Sequence, residues 1–282
     1  MLIIIGTVPL PEGIYEGAAS FKGKNLQIGR TVVPVERGSG ALTAAALRIL
    51  GHYGAEKPYC LLAGDRLSGD GSNKLLEASV SFLPDSKAET AVLHYMFVLL
   101  KYGPMLREAV QSMTAKPFLI GDAGGMYLAK ASGISGMFDI FTPDRGELAF
   151  LADDQAAHPM YTRPEFFNRT DEELARTAWE AGNSPQTLVV KGKTDLVLEA
   201  GQVVNRLAEP SVPVMEAIGG TGDTVTGMLA ALLHLKIPGA ACKALLLNRL
   251  AGEKTGCTPR TQIAEFIDQL SSGVMREAGV GL

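Results

Sequence analysis

Gly219-Gly220-Thr221-Gly222-Asp223-Thr224, running into Val225-Thr226-Gly227-Met228-Leu229-Ala230-Ala231-Leu232-Leu233, is the stretch on which the reading of this 282-residue chain turns. The second half predicts a helix over residues 224–235. The glycines stand at its N-terminal mouth, where backbone N–H groups have no intrahelical partner and the helix dipole is positive. Glycine lets such a backbone approach a ligand closely, so a phosphate is the natural occupant. Asp223 then stands in the first turn beside that phosphate, where it would be repelled unless it had a use. Two uses are open: taking the proton of a hydroxyl that attacks a γ-phosphate, or capping the helix. No Lys follows the glycines, so this is not a Walker A loop, and no GxGxxG follows an N-terminal strand.

Working outward, short runs rich in Val, Ile and Leu read as buried strands at 2–5, 59–63, 117–121, 138–141, 187–191, 195–199 and 212–216. Helical periodicity lies between many of them, at 41–51 and across 92–113, the latter interrupted by Gly103-Pro104. Thr170-Asp171-Glu172-Glu173 is a capping-box signature, with Gly182 as the helix stop. Strand and helix in alternation predict an α/β chain with a mostly parallel sheet wrapped by helices on both faces. Lys191-Gly192-Lys193-Thr194 reads as a hairpin, so the C-terminal half contains an antiparallel portion. Residues 153–169 fit neither period and read as an insertion-like lid, interface arm or loop. With no repeat or composition break, the expectation is one domain over 1–282.

Composition narrows the function. Apolar residues make up 46% and charged residues 20%, enough for a large core. The net charge of −4 and the 6% aromatic content argue against nucleic acid as a partner. The longest apolar stretch, Met228 to Leu247, is cut by His234, Lys236, Pro238 and Lys243, so no membrane span is expected. Cys60, Cys242 and Cys257 form no CxxC and predict a cytoplasmic setting. Cys60 and Cys242 read as buried packing residues. His52, His94, His158 and His234 are far apart in sequence, which argues against a protein-built transition-metal site. Mg²⁺ held mainly by a ligand's phosphates would leave no such trace.

Lower in weight, Lys191 is a candidate phosphate contact, against a solvated turn lysine. Glu147 is a candidate for orienting Mg²⁺ through water, against a plain first-turn residue. Asp122 is a strand-end acid that either lines a cleft or forms a turn. Asp65-Arg66 and Ser68-Gly69-Asp70-Gly71-Ser72 read as a polar turn. Asn248 and Arg249 read as solvated more than ligand-binding.

Gly220-Thr221-Gly222-Asp223, late in an α/β chain, resembles the anion-hole motif of the ribokinase-like superfamily. With Gly227-Met228-Leu229-Ala230-Ala231-Leu232 it looks most like the ADP/ATP-dependent NAD(P)H-hydrate dehydratases. Phe141-Thr142-Pro143-Asp144-Arg145-Gly146-Glu147-Leu148 resembles that family's Thr-Pro-His-x-Gly-Glu segment. Val189-Val190-Lys191-Gly192 is similar to its nucleotide-side turn, Leu119-Ile120-Gly121-Asp122-Ala123 to its strand ending in Asp-Ala, and Gly38-Ser39-Gly40-Ala41 to its early glycine turn. The resemblance implies a three-layer α/β/α fold, ATP or ADP with Mg²⁺ as cofactors, and a homo-oligomer. It implies nucleotide contacts at Gly220, Thr221, Gly222, Lys191 and Gly192. Asp223 is implied as the catalytic residue, Asp144, Asp122 and Gly40 as substrate-side residues, and Glu147 as the metal residue. The implied activity is repair of hydrated NAD(P)H, with a sugar or vitamin-alcohol kinase and a non-catalytic nucleotide-binding homologue as alternatives. Two departures fall on the substrate side: Asp144 stands where the pattern has histidine, and Gly124-Gly125 stands where it has a second Asp.

Overall fold

The apolar run that opens the chain becomes β1 (Leu2–Val8) in a computed structural model that describes every residue except Leu67 and Leu282. A meander follows, β2 (Gly13–Lys22), β3 (Asn25–Ile28) and β4 (Thr31–Val33), and leads into α1 (Gly38–His52). Alternation then sets in with β5 (Tyr59–Gly64), α2 (Asp70–Phe82), β6 (Thr90–Leu93), α3 (Tyr102–Gln111), β7 (Phe118–Gly121) and α4 (Gly124–Ala131). It continues through β8 (Ile140–Phe141), α5 (Arg145–Ala152), α6 (Asp171–Glu180), β9 (Thr187–Val190), β10 (Asp195–Glu199) and β11 (Gln202–Leu207). The chain closes with α7 (Thr221–His234), α8 (Ala240–Thr255), α9 (Ile263–Asp268) and α10 (Ser272–Glu277).

The strands form one sheet in the order β11-β10-β9-β8-β7-β6-β1-β5-β2-β3-β4. From β9 to β5 every neighbouring pair is parallel, whereas both flanks are antiparallel. Because side chains alternate along a strand, β1 feeds two cores. Leu2 and Ile4 pack with α1, α7 and α8, while Ile3 and Ile5 pack with α2 through α6. The result is the expected three-layer α/β/α sandwich with a parallel centre. In such sheets the carboxyl ends of the parallel strands form the ligand crevice.

Several local expectations change. Residues 90–93 are a strand, and α3 begins only at Tyr102, so Gly103 and Pro104 sit in its first turn. Proline is tolerated there because the first-turn N–H has no intrahelical acceptor anyway. The apolar run at 212–216 is not a strand. Pro213–Ala217 forms a 3₁₀ turn, and Met215 packs against Gly252 of α8, where a Cβ would stand 2.2 Å from its sulfur. The meander β2–β4 and β11 are additional, built from sequences whose polar residues mask the strand period. The capping box at Thr170 and the hairpin between β9 and β10 form as expected.

Residues 153–169 are fastened to the body rather than loose. Asp153 is fully buried and takes three hydrogen bonds from Arg163, including Nη2 to Oδ1 at 2.8 Å. Lys130 donates to the carbonyls of Phe150, Asp153 and Ala156. The polar turn after β5 is likewise built on Asp65, which accepts from the amides of Ser68, Gly69 and Ser72. Cys60 is buried, but Cys242 is only part-buried. Among the described residues no helix is long and apolar enough to cross a membrane.

Candidate active site

The mouth of α7 opens onto a cavity of about 660 Å³ at the carboxyl ends of β7, β8 and β9. Gly220 is the N-cap, with φ of 103°, and among the described residues no side chain caps this end. The amides of Thr221, Gly222 and Asp223 therefore have no intrahelical acceptor. Glycine is required at 220, since φ is positive and a Cβ would lie 2.8 Å from Ile263 Cγ1. Thr221 pins the preceding 3₁₀ turn by donating its hydroxyl to the carbonyls of Met215 and Ile218.

Asp223 is held from two sides. Oδ2 accepts from the Gly38 amide at 2.6 Å, and Oδ1 lies 3.0 Å from His94 Nε2. His94, at the end of β6, has no exposed surface. Its other ring nitrogen lies 3.1 Å from Ser39 Oγ, and Nε2 is also 3.6 Å from Asp122 Oδ2. Asp122 in turn receives Lys191 Nζ at 3.0 Å, the Ala123 amide at 3.0 Å and the Thr226 hydroxyl at 2.6 Å. Both cations and both carboxylates thus form one nearly buried cluster.

The electrostatics follow from that packing. Burial opposes charge on His94, but hydrogen bonds and attraction from Asp122 and Asp223 outweigh it and push the imidazole up to about 9. Burial likewise opposes charge on Asp122, yet Lys191 and His94 hold its carboxyl well below the usual range. Against its own burial, Lys191 is raised by Asp122 and Glu147. These are the opposite-charge effects expected within a few ångströms in a poorly solvated site.

On the adjoining wall, Asp144 is the N-cap of α5 and forms a capping box with Glu147. Glu147 accepts from the Tyr127 hydroxyl and the Asp144 amide. Burial first, then repulsion from Asp122 and Asp144, raises its carboxyl to about 7. On the opposite side, Arg249 is buried, not solvated. Its Nε donates to Asp195 Oδ2 at 2.7 Å, and its remaining donors reach four carbonyls, those of Ala208, Pro210, Gly192 and Lys193. Asn248 is also buried, and its Oδ1 accepts from Thr224 at 2.7 Å. Both corrections have one cause: α8 packs this face against α7 and the β9–β10 hairpin.

The cavity lining includes Asp122, Asp144, Glu147, Lys191, Gly192, Gly220, Thr221, Gly222 and Asp223, so residues spread over a hundred positions of sequence share one surface. Gly40 does not join them. It is fully buried in α1, where a Cβ would stand 2.4 Å from the Pro34 carbonyl. The early glycine turn reaches the site through Gly38 instead. His94 was not legible as a site residue, because its partners are remote in sequence. The one local hint is Gly124-Gly125. A Cβ on either would strike the backbone of Met96 or Leu93, and the Gly125 amide donates to the His94 carbonyl at 2.8 Å. The donor atoms of His94, Asp122 and Asp223 lie within 4.8 Å of one another, a spacing that an imidazolium between two carboxylates accounts for.

Comparison with known proteins agrees with this architecture. Residues 101–265 match the sequence profile of a family described as NAD(P)H-hydrate dehydratase. An uncharacterised protein of Methanocaldococcus jannaschii is 34% identical over 233 residues, 81% of this chain and 96% of that protein. A bifunctional NAD(P)H-hydrate repair enzyme of Hyperthermus butylicus is 32% identical over 145 residues, 49% of this chain but only 24% of that enzyme. Among solved structures, the ADP/ATP-dependent NAD(P)H-hydrate dehydratase of Bacillus subtilis, co-crystallised with ATP and Mg²⁺, superposes with a TM-score of 0.58 at 17% identity. The match covers 98% of this chain and 91% of that one, and shows the shared ribokinase-like fold. With the profile match spanning more than half its length, this chain belongs to the NAD(P)H-hydrate dehydratase family.

Proposed function

We propose that the chain is a nucleotide-dependent NAD(P)H-hydrate dehydratase that uses ADP or ATP with Mg²⁺ to restore NADH or NADPH from its hydrated form. The observation that carries this reading is the carboxylate of Asp223 at the uncapped amide end of α7, lining the cavity at the carboxyl ends of the central strands. The nucleotide supplies a phosphoryl group that turns the hydroxyl of the hydrated nicotinamide into a leaving group.

The chain's own residues then have distinct tasks. The amides of Thr221, Gly222 and Asp223 fit anionic phosphate oxygens and stabilise charge on the group in transfer. Lys191, whose Nζ lies 3.6 Å from where a Gly222 Cβ would be, adds a positive charge at that position. Gly192 belongs to the same turn, held by Asp195. Asp223 accepts the proton of the substrate hydroxyl at its carboxylate. Glu147 supplies an oxygen donor of the kind a hard cation takes. Mg²⁺ borne by the phosphates would be met by Glu147, whose ionised form the cation favours. Asp144 and Asp122 bound the substrate side. A homo-oligomer and a cytosolic setting go with this reading, and light scattering tests the first.

The family match favours this activity over a small-molecule kinase or a non-catalytic homologue. The direct test is to supply hydrated NADH with ATP or ADP and Mg²⁺ and follow the absorbance of regenerated NADH. Recovery by the native chain and loss of at least a hundredfold in Asp223→Asn is expected, in line with removal of a general base. Equal rates for the two proteins would overturn the assignment.

A further inference from the structure

We infer that His94 is a positioning residue for the reaction: wedged between Asp122 and Asp223, its ring fixes the Asp223 carboxylate in place at the mouth of α7. The inference rests on the activity proposed above and adds a role that neither the motif nor the family match assigns.

The geometry is over-determined. The His94 backbone is pinned at both ends, its amide donating to the Ile5 carbonyl at 2.9 Å and its carbonyl accepting from Gly125 at 2.8 Å. The ring packs edge-on against Tyr95, with centroids 4.5 Å apart. Ser39 Oγ meets one ring nitrogen, and the two carboxylates meet the other. No rotamer change is open to a ring so enclosed, so Asp223 Oδ1 is held where the ring puts it. Gly38 fixes Oδ2 in the same way.

Charge gives the second part of the argument. An aspartate at a phosphate-binding helix mouth faces repulsion from the ligand, which a basic group in contact with it offsets. The groups facing His94 are Asp223 from α7, Asp122 from the end of β7, Ser39 from α1 and Tyr95 beside it. Lys191 reaches it through Asp122, and Glu147 lies farther along the same wall. Two cations, His94 and Lys191, balance the two carboxylates at the centre. Among the described residues Lys191 bonds to Asp122 and not to Asp223, so His94 is the basic side chain in contact with Asp223. The Gly124-Gly125 pair makes this arrangement possible, because any larger residue there would displace the backbone that carries His94.

The test compares the native chain with His94→Gln, which keeps a hydrogen-bond donor but carries no charge, and with Asp223→Asn. Ring ¹⁵N resonances of His94 in the native chain are expected to report an imidazolium at neutral pH. Its titration midpoint is expected to fall by at least one pH unit in Asp223→Asn. In hydrate repair, kcat of His94→Gln should fall by about tenfold or more, as for a displaced catalytic group, while KM for the hydrate changes less than threefold. ADP affinity should change less than threefold. A stoichiometric metal ion on the purified protein at this position, a native kcat in His94→Gln, or a His94 titration unmoved in Asp223→Asn would overturn the inference. If the native chain repairs no hydrate, the activity reading fails, while the ring titration still decides the charge and the contact.

Discussion

Replacing Arg249 by Met should cost far more than its position near the cavity suggests. The side chain makes five hydrogen bonds, one to Asp195 and one each to the carbonyls of Ala208, Pro210, Gly192 and Lys193. Only 8% of it is exposed, and 10% of Asp195. Removing the guanidinium strands a carboxylate that burial already pushes toward its neutral form. Loss of one partner from such a pair costs about 3–5 kcal/mol, against about 0–1 kcal/mol for an exposed pair. The double variant Arg249→Met/Asp195→Asn removes the uncompensated charge and should recover about 1–3 kcal/mol of that loss. Urea unfolding at neutral pH measures all three proteins, with equal m-values required for the comparison. Because Asp195 also accepts from Gly192 in the turn that carries Lys191, Arg249→Met should weaken ADP binding too, read by calorimetry. A cost below about 1 kcal/mol, or a double variant no more stable than the single, would refute this account of the clamp.

Gly220→Ala should lose about 1–3 kcal/mol to backbone strain, and more to the contact with Ile263, and should weaken ADP binding, as thermal melts and titration calorimetry would show. Lys130→Met would leave the carbonyls of Phe150, Asp153 and Ala156 without their donor. It should cost about 1–3 kcal/mol, and limited proteolysis should then cut within residues 153–169 faster than in the native chain. His94, raised from 6.5 to about 9 by its two aspartates, contributes stability that is fully present below pH 6.5 and is lost as pH rises through 9. Native Tm should therefore fall across that window, and His94→Gln should flatten the fall.

The two departures from the family pattern show how far local reading reaches. Asp144 is the N-cap of α5, in a capping box with Glu147 that its spacing permits but that the sequence reading did not draw. Gly124-Gly125 looks in sequence like a lost carboxylate, but its reason is a neighbouring backbone, that of residues 93–96, which only the folded chain brings there. Residues 92–113 misled for a related cause. Val92 and Leu93 are apolar because β6 is buried in mid-sheet, and their spacing to later residues mimics a helix. The 212–216 run is apolar because Met215 fills the space over Gly252.

Taken alone, the order of residues determined the layers, the parallel centre of the sheet and the uncapped mouth of α7. These depend on near-neighbour patterns: strand alternation, helix periodicity, and the conformations that glycine permits. Tertiary structure decided what surrounds Asp223. His94, Asp122 and Lys191 take their charge state, and Arg249 its orientation, from partners between 54 and 129 positions away. The strength of those contacts depends on how much water the packed layers exclude, and that exclusion exists only once the chain has folded.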